Sequence, residues 1–405
     1  DSAASVYLKN EIYDKYIITQ NNRGLAYIYK KMPDSAISIL NKCIDSDFKN
    51  EPEAEKHLAE THYKLVYAYS FKENIQMLIF HCEKYLDLTL KYYSDTSFNA
   101  ASAYNSTGFC YDVTDQKDTA IYYYKKSLEI YKALNNKSRI ASTSNNLGAC
   151  YSDLNKLNKS LRYYEFAIET RKEMNDSAGI AQSYSNIGVI YHKQDKYDKA
   201  LKYFKKSIKW AGENAPDDYG ANIGIANCYT SMKNYDVAIN ILKGMLPKAA
   251  SERKKALIYH NMGWNYFCQK DYKTAKQYFF RADTLFRNSY GEKHFEIVEN
   301  EYRLSQVFMF QNDLRNAEQR CYKAIAANQS TNPPDIYSTE SKYNNEYYYL
   351  KTIILLSKIF VNQNRKNEDI IKLFSTINSR IKNYQGSLHL QKDKLDLAEF
   401  SMEFY

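Results

Sequence analysis

The chain has 405 residues, of which only 12 are Gly and 6 are Pro, so residues that interrupt helices are scarce. It carries 56 basic and 47 acidic residues, a formal net charge of +9. The charges are interspersed and form no block, which favours a solvated surface and argues against nucleic-acid binding. The most apolar run, residues 352–361, is too short to cross a bilayer, so we expect no membrane segment.

A pattern of five positions returns about every forty residues. A small anchor residue is followed by an aromatic residue three positions later (+3), a small residue at +12, a bulky residue at +16 and a usually small one at +19. Such self-similarity is typical of stacked repeats. The anchors, in chain order, are Gly24, Val66, Gly108, Gly148, Gly188, Ala226, Gly263, Ser305 and, in a poor last copy, Ser357.

Each copy is predicted to form two antiparallel helices. In the copy at Gly148, apolar residues recur at helical spacing on both sides of the polar pair Asn155 and Lys156. We expect each anchor to face the small residue at +12, because two helices approach closely only where neither carries a large side chain. One such hairpin cannot bury its own apolar faces, so the pattern predicts an all-α solenoid.

The segment Asn186-Ile187-Gly188-Val189-Ile190-Tyr191, followed by Ala200, Phe204 and Ser207, resembles the tetratricopeptide repeat (TPR) family. The resemblance covers roughly residues 17–325. It implies a right-handed superhelix of helix-turn-helix hairpins whose first helices line a concave groove. The family's ordinary spacing is about 34 residues, whereas the spacing here is near 40, as in the long-repeat subclass of kinesin light chains and several bacterial sensor proteins.

Seven cysteines are distributed over the repeats with no zinc or redox spacing. Cys110, Cys150 and Cys228 share one repeat position, and Cys82 and Cys321 share another. Equivalent positions in different repeats lie about one hairpin apart, which is too far for a disulfide. We therefore expect seven free, largely buried thiols. The compartment stays open: we favour the cytoplasm, with a removed signal peptide as the alternative.

Residues that carry chemistry are sparse. The seven histidines form no helical metal-binding pair, and the sequence has neither a Gly-rich phosphate loop nor a nucleophile elbow. We therefore expect no catalytic residue, no metal and no cofactor.

The resemblance places the binding groove at positions close to each anchor on the first helices. Asparagine recurs two residues before the anchor, and an amide both donates and accepts hydrogen bonds. A row of amides can bind the backbone of an extended peptide, with Lys193, His260 and Arg303 selecting its side chains. The alternative is that asparagine is merely tolerated there. The predicted groove residues are Asn105, Asn145, Asn146, Asn186, Lys193, His260, Asn261 and Arg303.

The end of the chain departs from the pattern. We expect a repeat array of about eight copies over 1–325, a polar, proline-containing link over 326–346, and a helical extension over 347–405 that looks interrupted. The stretch from Lys394 to Tyr405 resembles proteins of Bacteroidetes in which a TPR array precedes a caspase-like CHAT peptidase domain. That resemblance implies an effector domain after Tyr405, so no catalytic residue can be assigned here.

The sequence thus predicts a non-catalytic scaffold that binds a protein or extended peptide in its concave groove. The favoured role is the sensing half of a larger regulatory protein. The alternatives are a free-standing adaptor and the sensor part of a transcription regulator, and an enzyme is the weakest interpretation.

Overall fold

The computed structural model describes residues 2–72, 75–114, 116–212, 219–329, 336–337 and 346–384. The helices in these ranges confirm the all-α prediction, and one 3-10 turn covers Leu246–Lys248. Their bounds are α1 Ser2–Lys9, α2 Tyr13–Tyr29, α3 Pro33–Ile44, α4 Pro52–Phe71, α5 Ile75–Tyr92, α6 Phe98–Val113, α7 Lys117–Ala133, α8 Lys137–Asp153, α9 Leu157–Lys172, α10 Ser177–Lys193, α11 Tyr197–Ala211, α12 Tyr219–Ser231, α13 Tyr235–Met245, α14 Glu252–Cys268, α15 Tyr272–Tyr290, α16 Phe295–Phe310, α17 Leu314–Ala327, α18 Glu346–Asn362 and α19 Asn367–Tyr384.

The chain divides into two compact units, Asp1–Asn186 and Ile187–Tyr405. In unit 1, α2 pairs with α3, α4 with α5, α6 with α7 and α8 with α9, and each hairpin also packs on the next. In unit 2, the pairs are α12 with α13, α14 with α15, α16 with α17 and α18 with α19. All eight stronger anchors therefore fall on the first helix of a predicted pair.

The poor ninth copy is also a hairpin in register. Ser357, Phe360, Leu373 and Thr376 are buried at the anchor, +3, +16 and +19 positions. Helix α18 packs on both α16 and α17. Most of the predicted link over 326–346 lies outside the described residues, as does the ending from 385 onward that resembles CHAT proteins.

The hairpin turns whose +7 residue lies in the described ranges share one geometry. The residue at +7 adopts a left-handed conformation, for example Asn155 at φ 54° and Asp195 at φ 57°. The amide at +8 then donates to the carbonyl at +3, as Lys156 does to Tyr151 at 2.8 Å. This bond closes the first helix in the manner of a Schellman motif, and asparagine and aspartate tolerate the left-handed region. Asn364, seven after Ser357, repeats it at φ 52° in the ninth hairpin.

The anchor prediction is right about close approach and wrong about the partner. A Cβ added to Gly148 would lie 2.7 Å from the ring of Tyr164, which stands at +16 and not at +12. The +12 residue is nevertheless adjacent, since Ser160 Oγ donates to the Gly148 carbonyl at 2.6 Å. The small pair brings the helices together, and the bulky +16 side chain then fills the space that the glycine leaves.

The aromatic residue at +3 stacks on a residue at +15 that the sequence pattern did not include. Tyr151 lies 5.4 Å from Tyr163, centroid to centroid, with 12° between the ring planes. The pairs Tyr111–Tyr123, Tyr191–Tyr203 and Tyr266–Tyr278 stack in the same way. This contact joins the two helices of a hairpin and accounts for part of the high tyrosine content.

The expectation of seven free thiols is wrong, because Cys82 and Cys110 form a disulfide with their Cα atoms 6.8 Å apart. The sequence argument compared cysteines at the same repeat position. This bond instead joins the +16 position of one copy to the +2 position of the next, where α5 packs against α6. The other five cysteines are free, and all but Cys268 are buried.

Candidate functional site

A row of polar side chains, four half-buried asparagines and the buried Thr143, crosses the first helices α6, α8 and α10 in unit 1. Asn105 Oδ1 accepts a hydrogen bond from Thr143 Oγ1 at 3.1 Å. Asn186 Nδ2 donates to Asn145 Oδ1, also at 3.1 Å. Each bond links residues about forty positions apart, so each joins neighbouring repeats. We call Asn105, Thr143, Asn145, Asn146 and Asn186 the amide row.

These hydrogen bonds orient the amides and still leave some of their donors and acceptors unused. An asparagine has two N–H donors and an oxygen with two lone pairs. In the Asn145–Asn186 pair, Asn145 Nδ2 and Asn186 Oδ1 keep unused capacity, one as a donor and one as an acceptor. The Asn146 side chain is half-buried and has no hydrogen-bond partner among the described residues. The row can therefore offer both kinds of group to a peptide backbone.

The same link between repeats occurs earlier in unit 1 in a closed form. Thr61 Oγ1 donates to Asn21 Oδ1 at 2.8 Å, and Asn21 Nδ2 donates to the His57 carbonyl at 3.3 Å. Asn21 and Thr61 are fully buried. Here the asparagine serves the packing of neighbouring repeats, which shows that this residue type alone does not mark a binding position.

In unit 2, two of the predicted groove residues converge on a carboxylate that the prediction lacked. Glu299 Oε1 lies 3.8 Å from His260 Nε2 and 3.6 Å from Arg303 Nη2. The Arg303 guanidinium also stacks on Trp264, 3.9 Å from the ring centroid. We call His260, Trp264, Glu299, Arg303 and Tyr348 the charged cluster.

Burial raises the pKa of Glu299, but the neighbouring groups outweigh it. A hydrogen bond and charge interaction with His260, the charge of Arg303 and a hydrogen bond from Tyr348 bring the pKa down to about 2. Burial and the Glu299 charge raise the pKa of the Tyr348 hydroxyl. The cluster therefore holds a fixed negative charge beside a stacked guanidinium.

The other two predicted residues of unit 2 do not join this cluster. Asn261 Nδ2 donates to the Leu257 carbonyl of its own helix at 2.8 Å, which leaves its oxygen as the group to offer. Lys193 is exposed at the end of α10.

His260, within the charged cluster, is mostly buried. Its Nδ1 forms a hydrogen bond with Asn300 Oδ1 at 3.0 Å, so the protein holds its ring in place.

Sequence reasoning missed Glu299 and Tyr348 for different reasons. Glu299 stands four residues before Arg303 on α16, a spacing at which opposite charges meet on a helix, so a signal was present. Tyr348 comes from α18, beyond the regular spacing of anchors, and stands nine residues before Ser357, a position that the repeat pattern did not include.

Two further features are absent from the part of the chain that the structure describes. No group of three or more His, Cys, Asp or Glu side chains lies close enough together to hold a metal ion within the ranges described. None of the helices described is both long and apolar enough to span a bilayer.

Helix pairs that recur with one turn geometry and one packing register define a helical-hairpin repeat protein. Sequence models described as "Tetratricopeptide repeat" match residues 139–211, 191–258 and 19–50. The chain thus carries tetratricopeptide repeats at these residues. No curated protein matches it.

Solved structures similar to this chain include the apo form of the quorum sensor NprR from B. thuringiensis, at 16% identity and a TM-score of 0.49, covering 96% of this chain and 94% of that one. A tetratricopeptide repeat protein from Parabacteroides merdae is 14% identical with a TM-score of 0.48, covering 67% and 94%. A Rap protein complexed with competence and sporulation factor is 14% identical with a TM-score of 0.49, covering 78% and 98%. Similarity at this level says nothing about what the present chain binds.

Proposed function

We propose that the chain is a non-catalytic scaffold that binds an extended segment of a protein or peptide along its first helices. The observation that carries the proposal is the amide row, in which Asn145 and Asn186 are joined across repeats and retain a free donor and a free acceptor. A peptide backbone presents the complementary acceptor and donor at each residue. Because these partners belong to the backbone, the row would bind an extended segment with little regard to its sequence.

Side-chain selection would come from the residues with charge or a ring. In unit 2, Arg303 is stacked on Trp264 and faces Glu299, so both signs of charge are available within a few ångströms. Lys193, exposed at the end of α10, would add a further charge, whereas His260 would act through the Glu299 carboxylate that it faces. Asn261 would contribute its oxygen, since its nitrogen is bonded to its own helix.

The proposal is tested with a peptide found by selection from a random displayed library against the full chain. The selected peptide is then titrated against the triple variant N146A/N186A/N261A. The matched control is N158A/N240A/Q319A, which removes three exposed amides from the second helices α9, α13 and α17. Loss of affinity in the first variant and not in the second would support the proposal.

We further propose that this scaffold is the sensing half of a larger regulatory protein. The support is the resemblance of residues 394–405 to TPR–CHAT proteins, in a part of the chain outside the described residues. The reading frame after Tyr405 tests the idea directly. A peptidase domain there would support it, whereas a DNA-binding helix-turn-helix would favour the regulator alternative and a stop codon the adaptor.

A further inference from the structure

A small cavity in unit 1 lies between α4, α5 and the start of α6, and it involves none of the residues of the amide row. Its volume is about 190 Å³. We call it the tyrosine cavity, because three of its lining residues are tyrosines. It is lined by Lys56, His57, Ala59, Glu60, Tyr63, Tyr85, Thr89, Tyr93 and Asn99.

The cavity arises where the second repeat departs from the pattern. Tyr85 stands at the +19 position, which most other copies fill with a small residue such as Ser127 or Ala167. Tyr63 stands three before the anchor, where Asn105 and Asn145 stand in later copies. The Tyr63 and Tyr85 rings lie 5.0 Å apart, centroid to centroid, and are tilted by 40°. Two aromatic walls thus replace a small residue and an amide.

A cation already sits at this cavity. Lys56 Nζ lies 5.7 Å from the centroid of the Tyr93 ring, within the range at which a ring face attracts an ammonium group. Lys56 forms no ion pair with any carboxylate among the described residues. The Lys56 ammonium group therefore occupies the position, near the Tyr93 ring, that the cation of a ligand would take.

Two further groups suit a cationic ligand with hydrogen-bond donors. Glu60 uses Oε1 to bind Lys64, and its second carboxylate oxygen has no ion pair in the part of the chain that the structure describes. The Thr89 hydroxyl is buried at the cavity wall and has no hydrogen-bond partner among the described residues. A carboxylate oxygen can accept, and a hydroxyl can do so as well.

We propose that the tyrosine cavity binds an alkylammonium group, which displaces Lys56 and packs between the rings of Tyr63, Tyr85 and Tyr93. The group could be supplied by a lysine side chain of a bound protein or by a free amine. The site is independent of the amide row and of the function proposed above. An anionic ligand would instead need Lys56 to remain in place. Removal of Lys56 should therefore strengthen the binding of a cation and weaken the binding of an anion.

The experiment is a ligand-observed NMR titration of the full chain with three probes. N-acetyl-lysine amide and n-butylammonium should bind with millimolar affinity, and the neutral isostere N-acetyl-norleucine amide should bind much more weakly. Binding of both ammonium probes assigns the site to a lysine side chain, and binding of n-butylammonium alone assigns it to a free amine. Equal binding of the norleucine compound would overturn the proposal.

Two variants locate the site. Lys56→Met removes the internal cation and should tighten ammonium binding by about threefold, the effect of relieving one like charge at short range in solvent. Tyr93→Leu should weaken it by about fivefold or more, through loss of the ring face. The matched control is Lys126→Met, which removes a lysine stacked on Tyr104 and Tyr122 away from the cavity and should change nothing. Weaker ammonium binding in folded Lys56→Met would overturn the proposal, and acetate binding that this variant abolishes would show an anion site instead.

Discussion

The ring of Phe204 occupies the space in which a side chain on Gly188 would lie. A Cβ built on Gly188 would be 2.7 Å from Phe204 Cε1, and one built on Gly224 would be 2.3 Å from the same ring. Phe204 is thus enclosed by the glycines of two neighbouring first helices, α10 and α12. The same relation of anchor to +16 residue holds for Gly24 with Leu40, Gly108 with Tyr124, Gly148 with Tyr164 and Gly263 with Phe279.

Gly188→Ala should therefore destabilise the protein although alanine is the better helix former. Overpacking against a buried ring costs about 1–3 kcal/mol, which exceeds the gain of about 1 kcal/mol in helix propensity. Gly244→Ala is the control, because Gly244 is helical and a Cβ there would meet nothing within 4 Å. Chemical denaturation should show a loss for the first variant and a gain of about 0.5–1 kcal/mol for the second. Equal changes would contradict the packing described.

The repeat register could be predicted because the pattern of small, aromatic and bulky residues reflects contacts inside one hairpin. It found the first helix of every pair, including the poor copy at Ser357. The pattern misassigned the residue that packs against the anchor. Small residues at the anchor and +12 positions occur together with a bulky residue at +16, and spacing alone does not say which of the two later residues fills the space beside the anchor. It also missed the disulfide, since Cys82 and Cys110 belong to different copies at different positions.

Acid should destabilise unit 1 through two buried histidines. His62 Nδ1 lies 2.8 Å from His81 Nδ1, and both residues are at most 5% exposed. Burial, with the charges of His81 and Lys84, lowers the pKa of His62 from 6.5 to about 3. Burial lowers the pKa of His81 to about 4. The unfolded chain therefore binds protons between these values and 6.5 that the folded chain does not.

The contribution of this pair to the free energy of unfolding should be at its maximum above pH 6.5. It should fall as the pH drops below 6.5, by up to about 1.4 kcal/mol per pH unit for each histidine. The loss should level off below about pH 3, where both states are protonated. Urea unfolding of the wild type and of H62Q/H81Q, measured from pH 7 to pH 4.5, gives the comparison. The free energy of unfolding of the double variant should fall less steeply with decreasing pH than that of the wild type. An equal pH dependence in the two proteins would show that the two histidines do not cause the loss.

The disulfide should be detectable by thiol counting. After denaturation without reductant, alkylation and mass spectrometry should show five modified cysteines and one Cys82–Cys110 cross-link. Reduction should lower the stability of the wild type by up to about 3 kcal/mol, because the cross-link restricts the unfolded chain. C82A/C110A should be insensitive to reductant. Seven alkylated cysteines in the unreduced protein would restore the prediction made from sequence.

A buried carboxylate in unit 2 should contribute strongly to the stability of the fold. Glu301 is fully buried and binds Arg287 Nη2 at 2.6 Å and Arg320 Nη1 at 2.9 Å. Burial raises its pKa, although the two arginines oppose that effect. Glu301→Gln should cost about 3 kcal/mol, because the largely buried Arg320 guanidinium loses its one carboxylate partner among the described residues, while Arg287 keeps Asp283 and Glu292. Glu292→Gln removes an exposed partner of the same Arg287 and should cost less than about 1 kcal/mol. Similar melting temperatures for the two variants would be inconsistent with this account.

The positions of the candidate site residues along the repeats could be read from the sequence, but their contacts could not. Counting from anchors led to positions at which neighbouring first helices exchange polar contacts, as Asn145 and Asn186 do, and their role in binding a peptide stays a prediction. It could not tell that Asn261 turns onto its own helix or that His260 is mostly buried. Those outcomes depend on rotamers and on neighbours such as Asn300 and Glu299, which lie about forty residues away in sequence.

The central claim is that first-helix amides bind a peptide backbone, and one titration tests it most directly. Each such hydrogen bond contributes about 0.5–1.5 kcal/mol, so N146A/N186A/N261A should weaken binding of the selected peptide by about tenfold or more. The control N158A/N240A/Q319A should bind like the wild type, and both variants should keep the wild-type helical circular dichroism. Unchanged affinity in the folded first variant, or a loss confined to the control, would show that the partner does not bind these amides.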